Sequence, residues 1–88
     1  MQYTLDIPEK LDDTFFKISK KDKNQFEILT KKIQHILENP YQFKPLRGNM
    51  AGIRRVHVGK SFVLTYEILE NEKIVRLLDY EHHDKIYS

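Results

Sequence analysis

Phe26, Leu29, Ile33, Ile36 and Leu37 recur at i, i+3, i+7, i+10 and i+11. That spacing places all five on one stripe of an α-helix, and it is the strongest periodic signal in the chain. Asp22 stands where an N-cap belongs, with Gln25 three residues on to complete a capping-box pattern. Pro40 disfavours helical geometry in the residue before it, so the helix is expected to end near Asn39. A second, shorter stripe precedes it. Leu11, Phe15 and Ile18 recur at spacings of four and three, with Phe16 alongside. Pro8 suits the first turn of that helix, where its missing N–H costs nothing, and Asp6 and Glu9 suit the positive end of the helix dipole. Residues 19–23 form a short polar break, which predicts an antiparallel pair of helices.

Two helices with one apolar stripe each must bury those stripes against a further layer. The rest of the chain offers strands. Residues 1–7 alternate Tyr3, Leu5 and Ile7 with polar neighbours. Residues 53–58 read as a strand, Gly59-Lys60 as a turn, and residues 61–69 as a strand with Phe62, Leu64, Tyr66 and Ile68 on one face. Asn71-Glu72 lies in another turn before a strand over residues 74–80, and the tail from Glu81 reads as a turn or a short helical stub. Pro45, Gly48 and Gly52 mark residues 41–52 as a loop. The expected fold is α+β, in the order β-α-α-β-β-β, with an antiparallel sheet carrying the two-helix hairpin on one face. Residues 1–88 form a single domain, with no internal repeat or low-complexity tract.

In the strand over residues 53–58, Arg54, Val56 and Val58 share one face, and Ile53, Arg55 and His57 share the other. The pattern is mixed, so alternation alone does not assign the core face. His57 beside Arg55 on an open face is the chemically interesting arrangement. The charges sharpen that interest. Glu38 and Glu67 are consecutive acids, and Lys44, Arg47, Arg54, Arg55, Lys60 and His57 lie between them. A basic stretch that excludes carboxylates suits a phosphate-bearing ligand, although solvated strands also carry Lys and Arg. The net charge of +2 says little by itself. The chain has no cysteine, which excludes a disulfide framework and thiolate metal sites and fits a reducing cytoplasm. No apolar run approaches the ~18 residues that span a bilayer, and the N-terminus lacks the apolar core of a signal peptide, so no membrane association is expected.

His57 is a candidate general acid or base, because imidazole titrates near neutral pH. Its ordinary alternative is a strand histidine facing solvent. His82 and His83 close the chain with Glu81, Asp84 and Tyr87. No metal-ligand spacing is present, so no metal and no other cofactor is expected. Asp84 is placed in sequence to orient an imidazole, and Tyr87 to stack on a base or to present its hydroxyl. Arg47, Arg54, Arg55, Lys60 and Arg76 are candidates for binding phosphate oxygens.

These stretches carry a resemblance. Leu46-Arg47-Gly48, Arg55-Val56-His57-Val58-Gly59, Phe62-Val63-Leu64-Thr65-Tyr66 and the ending Glu81-His82-His83-Asp84-Lys85-Ile86-Tyr87 resemble the RelE/ParE toxin superfamily, over essentially the whole chain. The hairpin and the ending look nearest to RelE-like and YafQ-like members of type II toxin–antitoxin systems. The resemblance implies a cytoplasmic, ribosome-dependent endoribonuclease that cuts mRNA in the ribosomal A site and is inhibited by a cognate, acidic antitoxin. It puts His57, His83 and Tyr87 on catalytic positions, with His82 as a further candidate, and gives the cations to phosphate. Phe62-Val63-Leu64 stand where the family usually has an arginine, and Lys60-Ser61 where YafQ-like members carry a carboxylate. ParE-like members share the fold but poison DNA gyrase by protein binding, and a degenerate member would only bind its antitoxin. These are the alternatives to a nuclease.

Overall fold

The structure is a computed structural model that describes residues 2–45 and 52–83. Its elements are β1 (Thr4–Asp6), α1 (Glu9–Lys21), α2 (Lys23–Glu38), a single 3-10 turn (Pro40–Gln42), β2 (Lys44–Pro45), β3 (Ile53–Val58), β4 (Phe62–Leu69) and β5 (Ile74–His82). The strands form one sheet in the order β1-β5-β4-β3-β2. The helices and the expected strand order are all present, and three features differ from the sequence expectation. β1 pairs with β5 in parallel, so the sheet is mixed. No tight turn joins these two strands; the helix pair follows β1 and supplies the long excursion that parallel pairing needs. Lys44–Pro45 forms a short edge strand against Arg54 and Arg55, in a stretch read as loop. Proline is tolerated there because an edge strand has one unpaired side. Finally, β5 runs on to His82, into the expected tail.

The break between the helices narrows to Asp22 alone. It ends α1 and caps α2, its carboxylate accepting the Gln25 N–H at 3.0 Å. The capping box is only half formed, because the Gln25 amide donates to the Tyr80 hydroxyl at 2.7 Å instead. Leu11, Phe15, Leu29, Ile33 and Ile36 pack from the helices onto Val56, Val58, Leu64, Tyr66, Val75, Leu77 and Tyr80 of the sheet. The face of β3 bearing Val56 and Val58 is therefore the core face, and Arg55 and His57 lie on the open one.

A bulge in β5 governs the other end of the sheet. Thr65 pairs with Asp79 but Tyr66 pairs with Leu77, so Leu78 is the extra residue. Before it, Val75 and Leu77 point at the helices. After it, Tyr80 does, and Asp79, Glu81 and His83 are left for the open face.

Polar ties hold the segment after α2. The Tyr66 hydroxyl donates to the Pro40 carbonyl at 2.6 Å, and burial pushes its pKa up to about 12. Arg54 lies on the core side of β3. Its Nη1 donates to the carbonyls of Tyr41 (3.1 Å) and Phe43 (2.6 Å), and its guanidinium covers the Tyr41 ring at 5.1 Å. Glu70, in the β4–β5 turn, gathers three donors: the hydroxyls of Tyr3 (2.8 Å) and Tyr41 (2.7 Å), and the Lys73 ammonium. Chiefly through Lys73, then Tyr41 and Tyr3, these hold its pKa at about 2.

Two outcomes follow from these ties. Glu70 is ionised more readily in the folded chain, so its contribution is full above the ordinary carboxylate range and fades as pH falls from about 4.5 toward about 2. Acid unfolding followed by circular dichroism should therefore show a shallower loss of stability over that window in Glu70→Gln, which should also be less stable at neutral pH. Arg54→Ala strips two carbonyls of a charged donor and should cost about 1–3 kcal/mol in urea unfolding. Unchanged stability would show that the segment is held by other means.

Candidate active site

The open face is built by alternation across β2, β3, β4 and β5. Residues directly opposite one another in paired strands share a face. Lys44 is opposite Arg55, Arg55 opposite Thr65, and Thr65 opposite Asp79. One step along, His57 is opposite Val63, and Val63 opposite Glu81. Gly59 turns the chain from β3 to β4 at φ 64°, a backbone conformation glycine adopts without a steric penalty, and Lys60 stands exposed in that turn.

His57 and His83 come together over this face. Their rings stack with centroids 5.6 Å apart and planes inclined by 29°. His57 comes from β3 and His83 from the residue that follows β5, on either side of β4 and above Val63, which is fully buried outside the helix-side core. The main chain of His83 is pinned by its N–H, which donates to the Ser61 carbonyl at 2.6 Å. His57 is exposed and His83 half-buried. A paired set of imidazoles can carry a proton on one ring and a lone pair on the other, which are the two states that acid–base chemistry requires.

The other sequence candidates divide. His82 is on the opposite side of β5, its ring edge-on to Phe62 at 5.3 Å, within an aromatic row in which Phe62 stacks on Tyr80 and Tyr80 meets Phe15. Arg54 is turned to the helix side, on the carbonyls of Tyr41 and Phe43. Arg76 is on the open face but ion-paired with Asp6 at 2.7 Å and Glu67 at 3.6 Å, tying β1, β5 and β4 together. Arg55 shares the open face of β3 with His57, and Lys60 is exposed in the turn that follows it. Arg47, Asp84 and Tyr87 lie outside the described residues.

Pairing also brings in residues that reading along the chain passes over. The stretch from Asn39 to Tyr66 contains no acid, yet the sheet sets Asp79 and Glu81 on the same face. The local signal for Glu81 is its spacing of two from His83. The face is thus graded, with Lys44 and Arg55 toward its β2 edge and Asp79 and Glu81 on β5. Among the described residues no group of three or more histidine, aspartate or glutamate side chains is placed to hold a metal ion.

The family model described as the ParE toxin of a type II toxin–antitoxin system, parDE, matches residues 4–87. A Methanosarcina mazei protein of no assigned function is 48% identical over 97% of this chain and 99% of its own length. A Methanocaldococcus jannaschii protein bearing the name toxin RelE4 is 41% identical over 98% of this chain and 92% of its own. Among solved structures, RelE in the archaeal RelE–RelB complex of Pyrococcus horikoshii superposes with a TM-score of 0.72, covering 93% of this chain and 96% of that one at 15% identity, a likeness of fold. With its α-hairpin, its five-stranded sheet and a family match over nearly its whole length, the chain belongs to the RelE/ParE family of toxins of type II toxin–antitoxin systems.

Proposed function

We propose that this toxin is an endoribonuclease that cuts mRNA on the ribosome, without a metal, and is silenced by a cognate acidic antitoxin. The observation that carries the reading is the stacking of His57 on His83 over an open face edged by Arg55 and Lys60. Reactants and products set the chemistry. One imidazole takes the proton of the ribose 2′-OH. The freed oxygen attacks the adjacent phosphorus, the P–O5′ bond breaks, and the other histidine protonates the departing 5′ oxygen. The products are a 2′,3′-cyclic phosphate and a 5′-OH. Arg55 and Lys60 offset the charge that grows on the phosphate oxygens. His83 is the principal acid or base, and His57 its partner. Tyr87 and Arg47 are assigned from the family resemblance to base stacking and phosphate binding. His82, facing the other way, has its place in the aromatic row.

A protein that meets mRNA on the ribosome works in the cytoplasm. No described helix is long and apolar enough to cross a membrane. Neutralisation by an acidic antitoxin fits the cation-rich edge formed by β2 and β3. The stacked imidazoles favour the nuclease over gyrase poisoning, which needs no proton transfer.

His83→Ala is expected to lower mRNA cleavage after induction by about 10²–10⁴-fold, the usual worth of a general acid or base, and to relieve growth arrest with the thermal melt unchanged. Undiminished toxicity would remove His83 from the mechanism, and DNA breaks in place of cut transcripts would favour the gyrase reading. The pH–rate profile of the wild type should be bell-shaped, and His57→Ala should flatten one limb.

A further inference from the structure

His57 and His83 meet although their strands do not. β4 lies between β3 and β5. Two strand spacings set the backbones about 10 Å apart, yet the ring centroids are 5.6 Å apart. Both side chains therefore lean inward over β4. They do so from offset positions. His57 is opposite Val63. His83 is opposite Ser61, whose carbonyl accepts its N–H. The ring pair thus crosses β4 diagonally, over Ser61 and Val63.

Of these two, Val63 is the hidden one. It has no exposed surface, yet it stands outside the helix-side core, while Ser61 is exposed. Alternation points Val63 away from the helices, so what hides it lies on the open face. Register gives it His57 and Glu81 as neighbours across the strands, and alternation gives it Ser61 and Thr65 along its own. None of these four is aliphatic. A fully buried valine in such company is not part of a second core; it lies beneath the rings that lean over its strand.

The shape of valine suits that place. Side chains of a strand stand roughly perpendicular to the sheet. A β-branched residue is short and restricted at χ1, so it fills the space under the rings without rising between them. A longer side chain on the same Cα would enter the gap in which the two imidazoles meet. Residue 63 therefore governs whether two strands that are not neighbours can bring their histidines into contact.

We propose that Val63 is a positioning residue for the histidine pair: its short branched side chain is the floor on which His57 and His83 close, and it acts on cleavage only through their contact. The proposal rests on the pair being the acid and base of RNA cleavage. It deepens that reading by naming what lets the two rings meet.

The test is single-turnover cutting of mRNA on purified ribosomes by the full chain. Val63→Leu should lower the rate by about 10²-fold, the usual effect of misplacing a reacting group, with the apparent KM unchanged. Val63→Thr, which keeps the branch point and the height, should recover most of that rate. In a His57→Ala background Val63→Leu should cost nothing further, because the contact is already gone. Equal losses in the two backgrounds would overturn the proposal, as would a loss that appears in KM alone. Val63→Ala removes the floor without adding bulk; it should lose rate in the same non-additive way, and it replaces Val63→Leu if that variant does not fold. Nuclear Overhauser contacts between the two imidazole rings give a readout that needs no cleavage. They should be present in the wild type, lost in Val63→Leu and kept in Val63→Thr. Contacts unchanged by Val63→Leu would overturn the proposal. A wild type that cuts no transcript but shows this pattern would sink the nuclease reading and leave the role of Val63 in pairing the rings intact.

Discussion

The extra residue at Leu78 decides what the open face can do. In a regular strand, alternation from Val75 and Leu77 would carry Asp79, Glu81 and His83 toward the helices, and His82 toward His57. The bulge shifts the phase by one residue. Tyr80 then fills the core, where Phe15 and Phe62 pack on its ring and Gln25 satisfies its hydroxyl. His83 falls on the open face with His57. Core packing and the proposed chemistry are thus set by one event: burying Tyr80 selects which of two adjacent histidines joins the pair.

The cations show a comparable sorting. Arg54 and Arg55 are neighbours in sequence and similar in chemistry, yet the pleat sends them to opposite faces. Arg54 holds the segment after α2 by its carbonyls, and Arg55 shares the open face with His57. Arg76 joins three strands through Asp6 and Glu67. A half-exposed ion pair of this kind adds little stability alone. Its effect is to neutralise a cation on the β5 side of the face, while Lys44 and Arg55 stand toward β2 and β3.

Much of the architecture was legible because it rests on local rules. The stripe from Phe26 to Leu37, the cap at Asp22, the stop before Pro40 and the turn at Gly59 each involve residues a few positions apart. The misjudged features are non-local. Lys44–Pro45 is a strand only because β3 offers it an edge, and the Gln25 side chain leaves its capping box only because Tyr80 is near. Parallel pairing of β1 with β5 has no signature in either segment.

For the site, the sequence by itself determined the supply: histidines at 57, 82 and 83, and cations from Lys44 to Lys60 free of intervening acids. Tertiary structure alone decided which of these meet. His83 rather than His82 stands on His57, Arg55 rather than Arg54 shares their face, and Asp79 and Glu81 enter a neighbourhood that appeared free of acid. The physical reason is that alternation has a period of two, so a side chain's face depends on the phase of its strand. That phase is set by which residues the core buries and by where a bulge falls, and both depend on partners far away in the chain.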